Sequence, residues 1–463
     1  MSKAIEIKTG DHVRRFKSYP AHKDSGVEWL GKVPEHWEVK RVRTILRDND
    51  GIKIGPFGSA LKSEIIREKG YKVYGQEQVI NGDFQIGEKY VDENKFSELN
   101  TCEIIPGDLV VSMMGTTGKC QVVPDNIERG IMDSHLLRIR PKATIHPQLL
   151  ARLINESDYI RFQVSTNSKG SIMEGLNSSI IKNLSLLLPS LNEQRIIAAF
   201  LDRETARIDQ LIAKKERQIE LLQEKRSALI GHAVTKGLNP KAKMKNSGIE
   251  WLGEMPEHWE VLRFKYLLTE PLKYGANEVA ELDDPNLPRY VRITDVNEDG
   301  SLRDDTFKSL PEEIAKPYFL REGDLLFARS GATVGKTFYY QEAWGRAAYA
   351  GYLIRARIAP NKMLSKFGAY FARSTNYWNW LRSSMIQATI QNVSAEKYAG
   401  LVLGIPPIDE QMRIVAYIDK DTEQIDALSI KLTDSIAKLR EYRTALISAA
   451  VTGKIDVRKE AVS

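Results

Sequence analysis

One stretch of this chain is written twice. Residues 189–237 read PSLNEQRIIAAFLDRETARIDQLIAKKERQIELLQEKRSALIGHAVTKG, and residues 406–454 read PPIDEQMRIVAYIDKDTEQIDALSIKLTDSIAKLREYRTALISAAVTGK. Glu193 answers Glu410, Asp209 answers Asp426 and Ala233 answers Ala450, each 217 residues later. A second pair opens each half. DSGVEWLGKVPEHWEV at 24–39 returns as NSGIEWLGEMPEHWEV at 246–261, an offset of 222. Matches this long make the chain a tandem duplication, so whatever fold it adopts must be built twice.

Both copies of the longer repeat read as amphipathic helices. Ile208, Ile212, Lys215, Ile219, Leu222, Arg226, Leu229 and Ala233 alternate in steps of four and three, the a/d seam of a coiled coil. The second copy places Ile425, Ser429, Leu432, Ile436, Leu439, Arg443, Leu446 and Ala450 on the same seam. Lys215 stands where the second copy has Leu432, and Ser429 where the first has Ile212. Two imperfect stripes bury each other best as an internal pair. Two core helices of one large globule would show the same period.

At 463 residues the chain has room for two or three domains, each with its own core. A formal charge of +6 permits a polyanionic partner without requiring one. Two cysteines, Cys102 and Cys120, cannot form a structural zinc quartet or a disulfide framework. No apolar run suits a signal peptide or a membrane span, so a cytoplasmic location is expected.

The expected order is a basic arm at 1–23, a body at 24–188, a helix at 189–236 and a lysine-rich linker at 237–245. A second body at 246–405, a second helix at 406–455 and a tail at 456–463 follow. The bodies diverge in sequence but keep a skeleton. Pro106-Gly107-Asp108-Leu109-Val110 answers Glu322-Gly323-Asp324-Leu325-Leu326, and Gly118-Lys119 answers Gly335-Lys336. Leu136-Leu137-Arg138-Ile139-Arg140 likewise answers Leu353-Ile354-Arg355-Ala356-Arg357. Glycine–aspartate turns running into apolar strands, with helical segments before each long helix, predict mixed α/β bodies.

No catalytic centre is legible. Gly331 to Lys336 imitates a phosphate-binding loop, but three residues separate its glycines where the Walker pattern needs four, and Phe338-Tyr339-Tyr340 predicts a strand next. His36 and His258, each beside a tryptophan, read as packed and hydrogen-bonded rather than catalytic. What remains is loop composition. Lys53, Ser59 and Lys62, then Ser112, Thr116, Thr117 and Lys119, then Asn167, Ser168 and Lys169 are candidate DNA contacts in the first body. Arg329, Ser330, Thr333 and Lys336, with Gln387, Thr389, Gln391 and Asn392, are their counterparts in the second. Such side chains hold phosphates and read base edges; any one such loop is more often an ordinary polar turn, and it is their recurrence at matching places in both halves that lifts the set above that. Arg138/Arg140 and Arg355/Arg357, at i, i+2 on strands, suit either DNA or a solvated face.

With these motifs in view, the chain resembles a specificity subunit of a type I restriction–modification system over nearly its whole length. The resemblance is carried by residues 24–37 and 246–259 and by the helix starts Asn192-Glu193-Gln194-Arg195 and Asp409-Glu410-Gln411. It implies two α/β target-recognition domains, each followed by a long helix, the helices pairing as an antiparallel coiled coil that spaces two half-sites. It implies a non-catalytic DNA-binding subunit carrying no cofactor, with S-adenosylmethionine, ATP and magnesium belonging to partners. Those partners are methyltransferase subunits, expected in two copies, and restriction/translocase subunits. Trp29, Trp37, Glu193, Gln194, Trp251, Trp259, Glu410 and Gln411 are the candidate docking residues. Met412 stands where the first copy has Arg195, so no contact is assigned there. The competing readings are a coiled-coil scaffold that does not read DNA, which the divergent bodies disfavour, and a nucleotide hydrolase or nuclease, which the glycine spacing disfavours.

Overall fold

The computed structural model describes residues 4–9, 12–27, 29–48, 50–113, 118–168, 178–297, 302–385 and 392–460. It resolves into two compact units, Met1–Lys215 with Thr433–Ser463, and Glu216–Leu432. The division falls inside both long helices, not at their ends. Each unit therefore owns part of Leu191–Lys236 and part of Ile408–Val451.

In the first unit an antiparallel sheet runs in the order Cys120–Val122, Leu109–Ser112, Leu136–Ile139, Ile52–Ile54. A second four-stranded sheet pairs Tyr71–Tyr74 parallel to Gly130–Met132. The other unit repeats the frame. Lys273–Tyr274, Leu353–Ala356, Leu325–Ala328 and Thr337–Tyr339 form the antiparallel sheet, and Arg289–Val291 lies parallel to Ala347–Tyr349. The mixed α/β expectation holds in both.

The repeated glycine–aspartate turn explains itself. Gly107 and Gly323 take φ of 82° and 81°, a region that penalises a Cβ. The following aspartates are buried and cap the turn, Asp108 accepting from Ile105 N and Asp324 from Arg321 N, both at 2.9 Å. Leu109–Ser112 and Leu325–Ala328 then run fully buried.

Each body closes on itself before its long helix begins. Ser185–Leu188 pairs antiparallel with Glu38–Arg41, and Val402–Ile405 with Glu260–Arg263. This brings the Pro-Glu-His-Trp motif to the helix start. Glu193 accepts from Trp37 Nε1 at 3.2 Å and lies 2.8 Å from His36 Nε2. Glu410 meets Trp259 Nε1 at 3.3 Å and His258 Nε2 at 2.7 Å. The adjacent glutamine ties down a different segment. Gln194 accepts from His146 N and donates to the Thr144 and Pro189 carbonyls; Gln411 accepts from Leu364 N and donates to those of Lys362 and Pro406. The helices stop at Gly237 and Gly453, with φ of 75° and 68°.

Every seam position predicted on the first helix, from Ile208 to Ala233, is buried or half-buried, as is every one from Ile425 to Ala450 on the second. Ile208 is 1% exposed and Leu446 0%. Where the first unit holds parts of both helices, Arg443 meets Asp209 at 3.0 Å and Glu156 at 3.1 Å. In the other unit Arg226 meets Asp426 at 3.3 Å.

The basic arm expected at 1–23 carries regular structure among its described residues. Ala4–Thr9 and His12–Lys17 form a hairpin, Phe16 and Tyr19 are buried, and Tyr19 donates to Glu193 Oε1 at 2.7 Å. The C-terminal tail is ordered against it: Asp456 N bonds the Lys17 carbonyl at 2.7 Å, and the Arg458 guanidinium lies 4.9 Å from the Tyr19 ring centre. The linker likewise shortens, because Met244–Asn246 is already a strand paired with Glu254–Pro256. Among the described residues no helix is long and apolar enough to cross a membrane.

Candidate nucleic-acid interface

Among the described residues, the polar loops around Lys53, Ser59, Lys62 and Lys119, and around Arg329, Ser330, Thr333, Lys336 and Asn392, lie at one end of their antiparallel sheet. In the first unit the edge strand Ile52–Ile54 leaves the sheet at Gly55, whose N–H bonds the Leu136 carbonyl at 2.9 Å. A Cβ on Gly55 would stand 1.7 Å from the Asp133 carbonyl oxygen, so only glycine permits this close approach. Beyond it Phe57 projects 88% exposed, followed by exposed Ser59 and Lys62; Lys53 on the edge strand is exposed too. The neighbouring loop is held by Met113 N to the His135 carbonyl at 2.8 Å, and Asp133 accepts from His135 N at 2.9 Å. Exposed Lys119 closes the group, its N–H bonded to Ser112 Oγ at 3.2 Å.

The other unit builds the same end with different side chains. Gly275 N bonds the Leu353 carbonyl, and a Cβ there would stand 2.2 Å from the Tyr349 carbonyl oxygen. Arg329 N bonds the Tyr352 carbonyl at 3.0 Å. The Arg329 guanidinium lies over the Tyr274 ring at 4.7 Å and donates to Asn392 Oδ1 at 3.4 Å. Ser330 bridges Asn392 through the backbone. Thr333 is half-buried, its carbonyl accepting from Lys336 N. Lys336 lines a separate 280 Å³ cleft with Arg226, Asn297, Arg373 and Trp378. Thr337–Tyr339 follows as a strand, so this loop does not lead into a helix as a phosphate-binding loop would.

Several of the predicted residues are set apart by burial. Ser112 is fully buried and spends its hydroxyl on Lys119 N, so it cannot touch a duplex. Trp37, Trp259, Glu193, Gln194 and Gln411 are all buried in the contacts described above, and Glu410 is engaged by His258 and Trp259. These six hold the fold. Trp29 remains exposed at 39%, stacked on Tyr159, whereas Trp251 packs against the core. Thr116, Thr117, Lys169, Gln387, Thr389 and Gln391 lie outside the described residues. Asn167 and Ser168 end the helix Asp158–Ser168.

The paired arginines do not form a solvated face. Arg138 is 1% exposed and bonded to Asp50 and the Glu103 carbonyl. Arg140 chelates Asp108 through Nε and Nη2, both at 2.7 Å. Arg357 chelates Asp324 at 2.9 and 2.8 Å, and Glu270 joins Arg355 at 2.8 Å to Arg357 at 2.7 Å. Each network pins the sheet to the buried aspartate of its glycine turn. Burial, and then the charge of Arg140, pulls Arg138 below the usual guanidinium range, while the bond to Asp108 raises Arg140. Lys273 first, then Arg355 and Arg357, hold Glu270 below the usual carboxylate range.

Sequence reasoning missed Phe57, Asp133, His135, Tyr274 and Tyr352 at these loop ends. A signal existed for two of them: His135 and Tyr352 immediately precede the matched Leu-Leu-Arg-Ile-Arg and Leu-Ile-Arg-Ala-Arg strands.

A family model, Type I restriction modification DNA specificity domain, matches residues 50–221 and 259–438. The type I restriction enzyme StySPI specificity subunit of Salmonella potsdam is 23% identical over 439 residues, covering 92% of this chain and 90% of that protein. The EcoKI specificity subunit of Escherichia coli K12 is also 23% identical, over 442 residues with the same coverage. Among solved structures, a chain from a study of complex assembly and conformational transition of the type I R-M system superposes with a TM-score of 0.69 at 16% identity, covering 90% of this chain and 98% of that one. The HsdS subunit from Thermoanaerobacter tengcongensis gives 0.54 at 17% identity, covering 91% and 98%. At these identities the superpositions speak to the fold.

Proposed function

This chain belongs to the type I restriction–modification DNA specificity domain family, and from that premise we propose that it reads an asymmetric, two-part DNA site, one half through each unit. The supporting observation is a single frame used twice with different side chains. Gly55 and Gly275, the 133–135 and 350–352 loops, and Lys119 and Lys336 occupy matching places, whereas the exposed groups differ. A constant frame with variable tips is what two unlike half-sites require, since backbone contacts position a reader and side chains discriminate bases.

The long helices, in this reading, pair as an antiparallel coiled coil and set the unread gap. Two features support it: the seam is less exposed than its flanks on both helices, and ion pairs cross between the helices within each unit. The seam of 26 residues from Ile208 to Ala233 is roughly 39 Å long at about 1.5 Å per residue, near the roughly 34–36 Å of one DNA turn. The chain acts without chemistry of its own, placing two methyltransferase copies, and restriction/translocase subunits where present, on the DNA. S-adenosylmethionine, ATP and magnesium are used by those partners. Methylation of a base would require flipping it into the methyltransferase.

The test is a methylome. The chain is expressed with its methyltransferase partner in a methylation-free host, and modified bases are read by single-molecule sequencing. A split motif with a constant gap, present only with this chain, is the expected result. A purified complex that creates no new motif would sink the reading.

A further inference from the structure

We infer that His135 and Tyr352 are equivalent specificity-determining residues, each presenting its ring to the bases of a different half-site. The inference rests on the DNA-reading function proposed above and names where that reading takes place.

The two residues are 217 apart, the offset that also relates Gly118 to Gly335 and Arg138 to Arg355. Each follows a strand that pairs in parallel, Gly130–Met132 or Ala347–Tyr349, and precedes a central buried strand, Leu136–Ile139 or Leu353–Ala356. Each gives its carbonyl to a neighbouring loop, His135 to Met113 N at 2.8 Å and Tyr352 to Arg329 N at 3.0 Å. The turns are closed alike, by Leu136 N to Asp133 O at 3.3 Å and Leu353 N to Ala350 O at 2.8 Å. Backbone hydrogen bonds thus fix both turns, and the rings stay in large part exposed. The His135 side chain is 45% exposed and Tyr352 is 66% exposed.

An exposed loop ring is common by itself. Here the same position in both units carries one, next to groups suited to nucleic acid. Tyr352 shares its sheet end with the Arg329 guanidinium and the Asn392 carboxamide, His135 with Phe57 and Lys119. The Tyr352 hydroxyl has no hydrogen-bond partner among the described residues.

The two rings also offer different patterns. Asp133 Oδ2 lies 3.3 Å from His135 Nδ1. The tautomer with its proton on that nitrogen satisfies the carboxylate and leaves Nε2 as an acceptor. In the major groove a lone acceptor pairs with an exocyclic amino hydrogen, on cytosine N4 or adenine N6. A tyrosine hydroxyl both donates and accepts, and so takes a different set of edges. One backbone position with two chemistries is a direct source of unlike half-sites.

The experiment uses the full complex with its methyltransferase partner and the methylome readout. His135→Ala is expected to relax one or two bases of one half-site, by roughly 10- to 100-fold in preference, leaving the other half and the gap unchanged. Tyr352→Ala is expected to relax the opposite half. The unaffected half reports that the chain has folded. A wild-type motif kept intact by both variants overturns the inference, as does relaxation of both halves by either one. A wild-type complex that yields no motif overturns the preceding reading instead. If an alanine variant fails to assemble, His135→Gln and Tyr352→Phe replace it: an altered preference confined to one half-site is expected, and an unaltered motif in both is the contrary result.

Discussion

Arg226 on the first long helix donates to Asp426 on the second at 3.3 Å, and the 217-residue repeat carries this pair onto Arg443 and Asp209, which meet at 3.0 Å. Each helix supplies the arginine to one pair and the aspartate to the other. The two pairs repeat one contact pattern, one in each unit. Polar groups at a seam set register at little gain in stability.

A double-mutant cycle would measure this. Asp426 is 52% exposed, so solvent screening limits the Arg226–Asp426 coupling to about 0.5 kcal/mol. Arg226→Glu alone should destabilise slightly, and Arg226→Glu with Asp426→Arg should restore the wild-type melting temperature. A double variant no more stable than the single one would deny the pair its register role.

The helix-start glutamates should differ in worth. Glu193 receives three side chains, Tyr19, His36 and Trp37, and is 5% exposed; Glu410 receives His258 and Trp259 and is 17% exposed. Removing a buried acceptor strands its donors at about 1–3 kcal/mol. Urea unfolding should therefore place Glu193→Ala about 1 kcal/mol below Glu410→Ala. Equal costs would show that the third donor, Tyr19, contributes nothing.

Acid should loosen the second unit through Glu270. Its carboxyl is held below the usual range by Lys273, Arg355 and Arg357, so the folded state binds its proton less readily than the unfolded chain. The stability this supplies is complete above the ordinary glutamate pKa of 4.5 and is lost as pH falls through the depressed folded value. At neutral pH Glu270→Gln should cost about 3 kcal/mol, because Arg355 is 4% exposed and would be left short of a counter-charge. The gap between variant and wild type should shrink as pH falls below that range in a pH series of denaturation curves. A constant gap would remove the linkage.

The helix pair makes a metric prediction. Four residues inserted at the same level of both helices would add roughly 6 Å, and the gap between methylated half-sites should lengthen by about two base pairs. A methylome with the original gap would rule out the helices as its ruler.

Much of this architecture was legible in the sequence because duplication marks what both halves need. Gly107 and Gly323 recur because the turn demands positive φ, and the seam recurs because each helix buries one stripe. The recurrence did not reveal how each residue is used. Glu193, Gln194, Trp37 and their counterparts, candidate docking residues by sequence, clamp each body closed. Ser112, in a polar loop by sequence, points inward. His135 and Tyr352 were harder to single out: they precede matched strands but differ in residue type, so the repeat marked their place and not their use.

By itself the sequence determined the duplication, the two helices with their seam, and the strand–turn skeleton, since local periodicity and turn chemistry are written in neighbouring residues. Only the tertiary structure decided which polar residues face inward and which loops meet. Arg138 finds Asp50, and Arg329 finds Asn392, across chain separations that local pattern does not encode. An arginine next to a distant carboxylate belongs to the core; one at a sheet end beside an exposed ring stays half-buried, within reach of solvent.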